Sequence, residues 1–106
     1  MDSQNLITPI IDYNLIQESF NLIESSNQIL ITTHLSPDGD AMGSSLGLYH
    51  FLKQIDKEVK IIVPNSFPYF LKWMEGSEDI LIYEYNPKAA ETIFNKSDLI
   101  FSLDYN

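Results

Sequence analysis

Four short apolar runs, separated by stretches with a different periodicity, set the limits on what this chain can fold into. They are Gln28-Ile29-Leu30-Ile31-Thr32-Thr33, Glu58-Val59-Lys60-Ile61-Ile62-Val63, Ile80-Leu81-Ile82-Tyr83 and Asp98-Leu99-Ile100-Phe101-Ser102-Leu103. Short, β-branched and nearly continuous, they read as strands buried on both faces rather than half-exposed ones. Between them the spacing turns helical. Ala41, Ser45, Leu48, Leu52 and Ile55 form one stripe at steps of three and four, with Asp40 expected as the N-cap. Pro87 opens a helix through about Asn95, and Leu15, Ile16, Phe20, Leu22 and Ile23 predict a helix over 12–25. Tyr69 to Met74 suggests a short helical turn ending at Gly76. Strands alternating with helices give βαβ crossovers, so the expected class is α/β: a Rossmann-like parallel sheet with helices on both faces.

The 106 residues are of a size for one domain, and no repeat or Gly/Ser linker divides them. The charge is lopsided, with 15 Asp and Glu against 6 Lys, no Arg, and a net charge of −9. That excludes a broad basic face for gripping nucleic acid or anionic lipid, and suits cation binding better. Without cysteine there is no disulfide, thiolate metal site or thiol nucleophile. No run approaches the roughly 20 apolar residues of a membrane span, and the start lacks the basic segment of a secretory signal. A cytoplasmic protein without a membrane partner is expected.

Chemistry concentrates where strands end. In open α/β sheets ligands bind beyond the carboxyl ends of the strands. The first run exits into His34-Leu35-Ser36-Pro37-Asp38-Gly39-Asp40, and the fourth into Asp104. Carboxylates suit Mg²⁺ or Mn²⁺, and an added imidazole tilts the choice toward Mn²⁺. Asp38 and Asp40, one glycine apart, can diverge toward two ions that Asp104 could bridge. A pair of ions about 4 Å apart is a clamp for in-line displacement at phosphorus. The same residues also have an ordinary explanation, since Asp-Gly is common turn chemistry and an Asp after a strand is common loop chemistry. Gly43 and Gly47 admit either a close phosphate or tight helix–strand packing. The segment is not a Walker A loop, because no Lys follows Gly43. Ser44 and Ser45 read as packing and local hydrogen bonding rather than nucleophiles.

Thr33-His34-Leu35-Ser36-Pro37-Asp38-Gly39-Asp40-Ala41-Met42-Gly43-Ser44 resembles the first motif of the DHH phosphoesterases, His-x-x-Pro-Asp-Gly-Asp-Ala-x-Gly-Ser. Within that superfamily it is most similar to the nanoRNase branch, bacterial oligoribonucleases that also dephosphorylate phosphoadenosine phosphate. Leu103-Asp104-Tyr105-Asn106 is similar to the second motif, where an Asp ends a strand. The resemblance implies catalytic roles for Asp38, Asp40 and Asp104. It implies that His34 and Asp38 hold one Mn²⁺, that Asp40 holds the other and that Asp104 bridges both, with Mg²⁺ as the alternative metal. A bridging water would then attack the phosphodiester without a covalent intermediate.

The Asp-His-His motif, a further ligating Asp and a C-terminal substrate-binding domain belong to the family pattern and do not appear in these residues. Residues 1–106 therefore read as the N-terminal part of a catalytic domain, expected to be inactive alone. The substrate expected of the parent protein is a short oligonucleotide or a nucleotide phosphate, and a homodimer of the full-length protein is admitted. Pyrophosphatase, cyclic-dinucleotide phosphodiesterase and single-strand exonuclease activities compete within the family. A non-catalytic metal-, nucleotide- or partner-binding module competes from outside it. Of the remaining residues, His50 lies off the helical stripe and is expected at the surface. Phe67, Pro68, Tyr69, Phe70 and Trp73 are expected to cap the core, with base stacking as their functional alternative. Lys72 stands alone among them. Glu75, Glu78, Asp79 and Glu84 read as a solvated face.

Overall fold

The computed structural model describes residues 13–103. All four apolar runs form strands: β1 Gln28–Thr33, β2 Glu58–Val63, β3 Leu81–Ile82 and β4 Leu99–Leu103. They make one parallel sheet in the order β3-β2-β1-β4. Three α-helices accompany them, α1 Tyr13–Ser25, α2 Gly39–Gln54 and α3 Pro87–Lys96. The turn expected over 69–74 is shorter, a 3₁₀ turn at Tyr69–Leu71 followed by another at Ser77–Asp79.

Side-chain alternation along the strands sorts the helices onto the two faces. Ile29 and Ile31 of β1 and Val59, Ile61 and Val63 of β2 point to one face, where they pack with Ile23 of α1 and Met42, Leu46, Tyr49 and Leu52 of α2. Leu30 and Ile62 point to the other, against Ala90 and Ile93 of α3. Coverage is uneven on that second face: Ile100 and Ser102 of β4 are exposed. A groove of about 700 Å³ opens there between Thr32, Ile62, Tyr83, Phe94, Ile100 and Ser102. The first helix is where the periodicity predicts it, but its apolar residues are mostly uncovered. Leu15, Phe20 and Leu22 are exposed, and Ile23 alone of its residues is buried.

Asp98 fastens the start of β4 to the start of β1. Its two carboxylate oxygens accept from the backbone N–H groups of Asn27 at 2.9 Å and Gln28 at 3.0 Å. Those bonds, Asn27 first, hold the carboxyl below its ordinary pKa of 3.8. A carboxyl whose folded pKa is lowered stabilises the fold above the unfolded value and stops doing so as pH falls through the folded one. Asp98→Asn should therefore flatten the acid limb of the stability curve below about pH 4. Denaturant titrations from pH 3 to 7 check this; an unchanged limb would mean that the two bonds contribute nothing pH-dependent.

Candidate functional site

The strand order reverses at the β1/β4 pair. From β1 the chain proceeds through α2 to β2 and then β3 on one side, and returns through α3 to place β4 on the other. Such a reversal is a topological switch point, and the crevice beyond its strand ends is where open α/β sheets hold ligands. The turn His34–Asp38 leaves β1 at that crevice. Thr33 pairs with Leu103 in the last β1–β4 register position, and Asp104, the next residue in sequence, lies outside the described residues.

Asp38, not Asp40, is the N-cap of α2. Its backbone is extended, its Oδ1 accepts from Ala41 N–H at 2.9 Å, and its carbonyl accepts from Met42 N–H at 2.9 Å. Asp40 sits one residue inside the first turn, where negative charge is favoured by the helix dipole. Both carboxylates are exposed. Asp38 thus has one oxygen committed to the helix and the other to offer a cation. His34 is half-buried, and its Nδ1 lies at hydrogen-bonding distance from the Leu35 carbonyl. A carbonyl only accepts, so Nδ1 carries the proton of that bond.

In kind, these donors fit a borderline divalent cation. In number they are partial: among the described residues no three His, Asp or Glu side chains converge closely enough to hold an ion.

The backbone of the turn is itself unusual. Ser36 has φ 54°, left-handed for a residue that is not glycine and that precedes a proline. Asn65, in the loop after β2, meets it with both ends of its side-chain amide. Oδ1 accepts from Ser36 N–H, and Nδ2 donates to Ser36 Oγ at 3.1 Å. Neighbouring expectations change in detail. A Cβ on Gly43 would come no closer than 4.0 Å to Met74 Cε, and one on Gly47 would meet nothing, so tight helix–strand packing explains neither glycine. Ser44 is exposed, and Ser45 is fully buried with no hydrogen-bond partner for its hydroxyl. Ser45 therefore packs without the local bond expected of it.

His50 is half-buried. Its Nε2–H donates to the Glu75 carbonyl at 2.8 Å, and its ring lies against Gly76, whose φ of 90° suits glycine. The aromatic segment divides. Phe67 is buried with Leu71 in the core, whereas Tyr69, Phe70 and Trp73 are exposed at 81%, 71% and 79%. Lys72 Nζ lies 5.4 Å from the Tyr69 ring centroid, a cation–π contact on that exposed side. Neither Ser36 nor Asn65 stands out by residue type, since both are ordinary in loops beside a proline.

Among the described residues no helix is long and apolar enough to cross a membrane. Comparison with known proteins agrees with the fold. Residues 28–106 match the model of the DHH family, N-terminal domain. The chain is 42% identical over 65 residues to the bifunctional oligoribonuclease and PAP phosphatase NrnA of Thermus thermophilus, covering 61% of this chain and 19% of that protein. It is 40% identical over 53 residues to the NrnA of Mycoplasma genitalium, covering 48% of this chain and 17% of that protein. The chain spans less than a fifth of the length of these relatives. A crystal structure of an exopolyphosphatase-related protein from Bacteroides fragilis superposes with a TM-score of 0.90 at 49% identity, over 93% of this chain and 29% of that one. With a motif turn at the switch point and three-quarters of its residues in the matched domain, the chain belongs to the DHH family of phosphoesterases.

Proposed function

We propose that this chain supplies the first part of the active site of a manganese-dependent phosphoesterase that hydrolyses short oligoribonucleotides, 3′-phosphoadenosine 5′-phosphate or both. One observation carries the reading: an imidazole and two exposed carboxylates lie within seven residues where β1 gives way to α2 at the switch point. The names of the relatives support the choice of substrate class. His34 and Asp38 would hold one ion and Asp40 a second, with Asp104 shared between them. When bound, such ions polarise the phosphoryl oxygens and activate water for in-line attack. The chain's own residues set the stage for that chemistry. Asp38 fixes the helix while presenting a carboxylate oxygen, and the N-terminus of α2 favours a phosphate beside the turn. Thr33, the residue before His34, also lines the groove on the α3 face, which gives a substrate room next to the turn.

The full-length protein with Mn²⁺ should release mononucleotides from a short RNA and phosphate from 3′-phosphoadenosine 5′-phosphate, and a chelator should abolish both. Pyrophosphate, a cyclic dinucleotide and single-stranded DNA complete the panel. Turnover confined to one of those three would replace the proposed substrate with that one, and no turnover on any would refute the enzymatic reading.

A further inference from the structure

We propose that Asn65 is a positioning residue for the metal-binding turn, holding Ser36 in its left-handed conformation so that His34 and Asp38 keep their mutual placement. The inference rests on the metal-site reading above. Ser36 stands midway between the two candidate ligands, and its φ of 54° is one that a serine adopts only when its surroundings impose it. Asn65 imposes it with two bonds. Because an amide N–H only donates, the atom facing Ser36 N is Oδ1, and Nδ2 is thereby directed at Ser36 Oγ. The pair closes a ring that fixes both the backbone and the side chain of Ser36.

Asn65 is itself on firm ground. The Val63 carbonyl accepts from Tyr83 N–H at 2.8 Å and the Pro64 carbonyl from Glu84 N–H at 3.2 Å. On its other side, Ser66 Oγ and Tyr85 Oη are 2.7 Å apart. Residues on both flanks of Asn65 are thus tied to the turn after β3, and Asn65 carries that rigidity across to the β1 turn. Groups that orient metal ligands without touching the metal commonly contribute tenfold or more to its affinity.

The test is Mn²⁺ titration calorimetry on the full-length protein, with melting temperature read beside it. Asn65→Ala should weaken Mn²⁺ binding by about tenfold or more. Ser36→Ala, which removes only the Oγ acceptor, should weaken it by an intermediate factor. Ile93→Ala, a truncation on α3 where it packs against Leu30 and Ile62 and away from the turn, should lower the melting temperature and leave Mn²⁺ affinity at the wild-type value. Wild-type affinity in Asn65→Ala overturns the proposal, and so does equal weakening in Ile93→Ala, which would make the effect one of general stability. Should Asn65→Ala not fold, Ser36→Ala decides, and unchanged affinity there overturns the proposal. An Asp38→Ala control separates the two levels. If the wild type binds no Mn²⁺, or Asp38→Ala binds it normally, the metal-site reading itself fails; if Asp38→Ala loses binding and Asn65→Ala does not, only the positioning role fails.

Discussion

Asp38→Asn should leave the full-length protein folded and remove almost completely the Mn²⁺-dependent hydrolysis proposed for it. The prediction depends on the two jobs held by one carboxylate. As the N-cap of α2, Asp38 accepts from Ala41 N–H, and Asn serves that purpose about as well as Asp. As a proposed metal ligand it needs its negative charge, which Asn lacks. Metal-derived charge stabilisation of about 4 kcal/mol corresponds to a loss on the order of 10³-fold in rate. Asp38→Ala should show the same loss of activity together with about 0.5–2 kcal/mol of lost stability, because the cap goes too. Thermal melts beside initial rates on a short RNA resolve the pair. Equal melting temperatures for the two variants would remove the capping role, and near-normal rates in Asp38→Asn would remove the catalytic one.

Ile31→Ala should be the most damaging single truncation for the fold. Ile31 is fully buried in the second strand from the edge, opposite Ile61 on one side and Phe101 on the other. Its side chain lies in the larger core cluster with those of α2. Truncation to Ala removes buried methyl groups and leaves a cavity that a parallel sheet cannot close, at about 2–5 kcal/mol. Small domains hold only about 5–15 kcal/mol in total, so the variant should sit near unfolding at physiological temperature. Phe20→Ala on the exposed part of α1 should by contrast change stability by no more than about 0.5 kcal/mol, although it removes more atoms. Chemical denaturation of both variants measures the difference directly; comparable losses would mean that α1 is covered in solution.

The strands and α2 were legible because local pattern carries them. Ile29 to Ile31, Val59 to Val63 and Leu99 to Leu103 are short, mostly apolar runs of strand length, although β4 is exposed on one face, and the Ala41–Ile55 stripe has a helical period. What escaped depends on contacts between segments. Asp38 and Asp40 are equally good caps by type, and the choice fell to the residue whose oxygen reaches the N–H three positions on. His50 falls off the helical stripe but is half-buried, because the segment ending at Gly76 folds back over it. Tyr69, Phe70 and Trp73 read as core by composition, yet a short 3₁₀ turn aims only Leu71 inward, with Phe67 before it. The apolar face of α1 exists in sequence without a cover among the described residues. The candidate site was legible to the extent that it is local: His34, Asp38 and Asp40 lie within seven residues, from the end of β1 to the first turn of α2. The pairing of Ser36 with Asn65 had no local signature, since it exists only because β1 and β2 are neighbours.

The sheet order sets what it costs to tie the crevice together. The Ser36–Asn65 link closes a loop of 29 residues, whereas the Asn27–Asp98 link that seats β4 closes one of 71. That is a little over one doubling of loop length, an additional entropic cost of about 0.8 kcal/mol before any contact compensates it. Longer closures also slow the folding step that makes them. The link that holds the turn bearing His34 and Asp38 is thus the cheaper of the two to close, and the one that seats β4 the dearer.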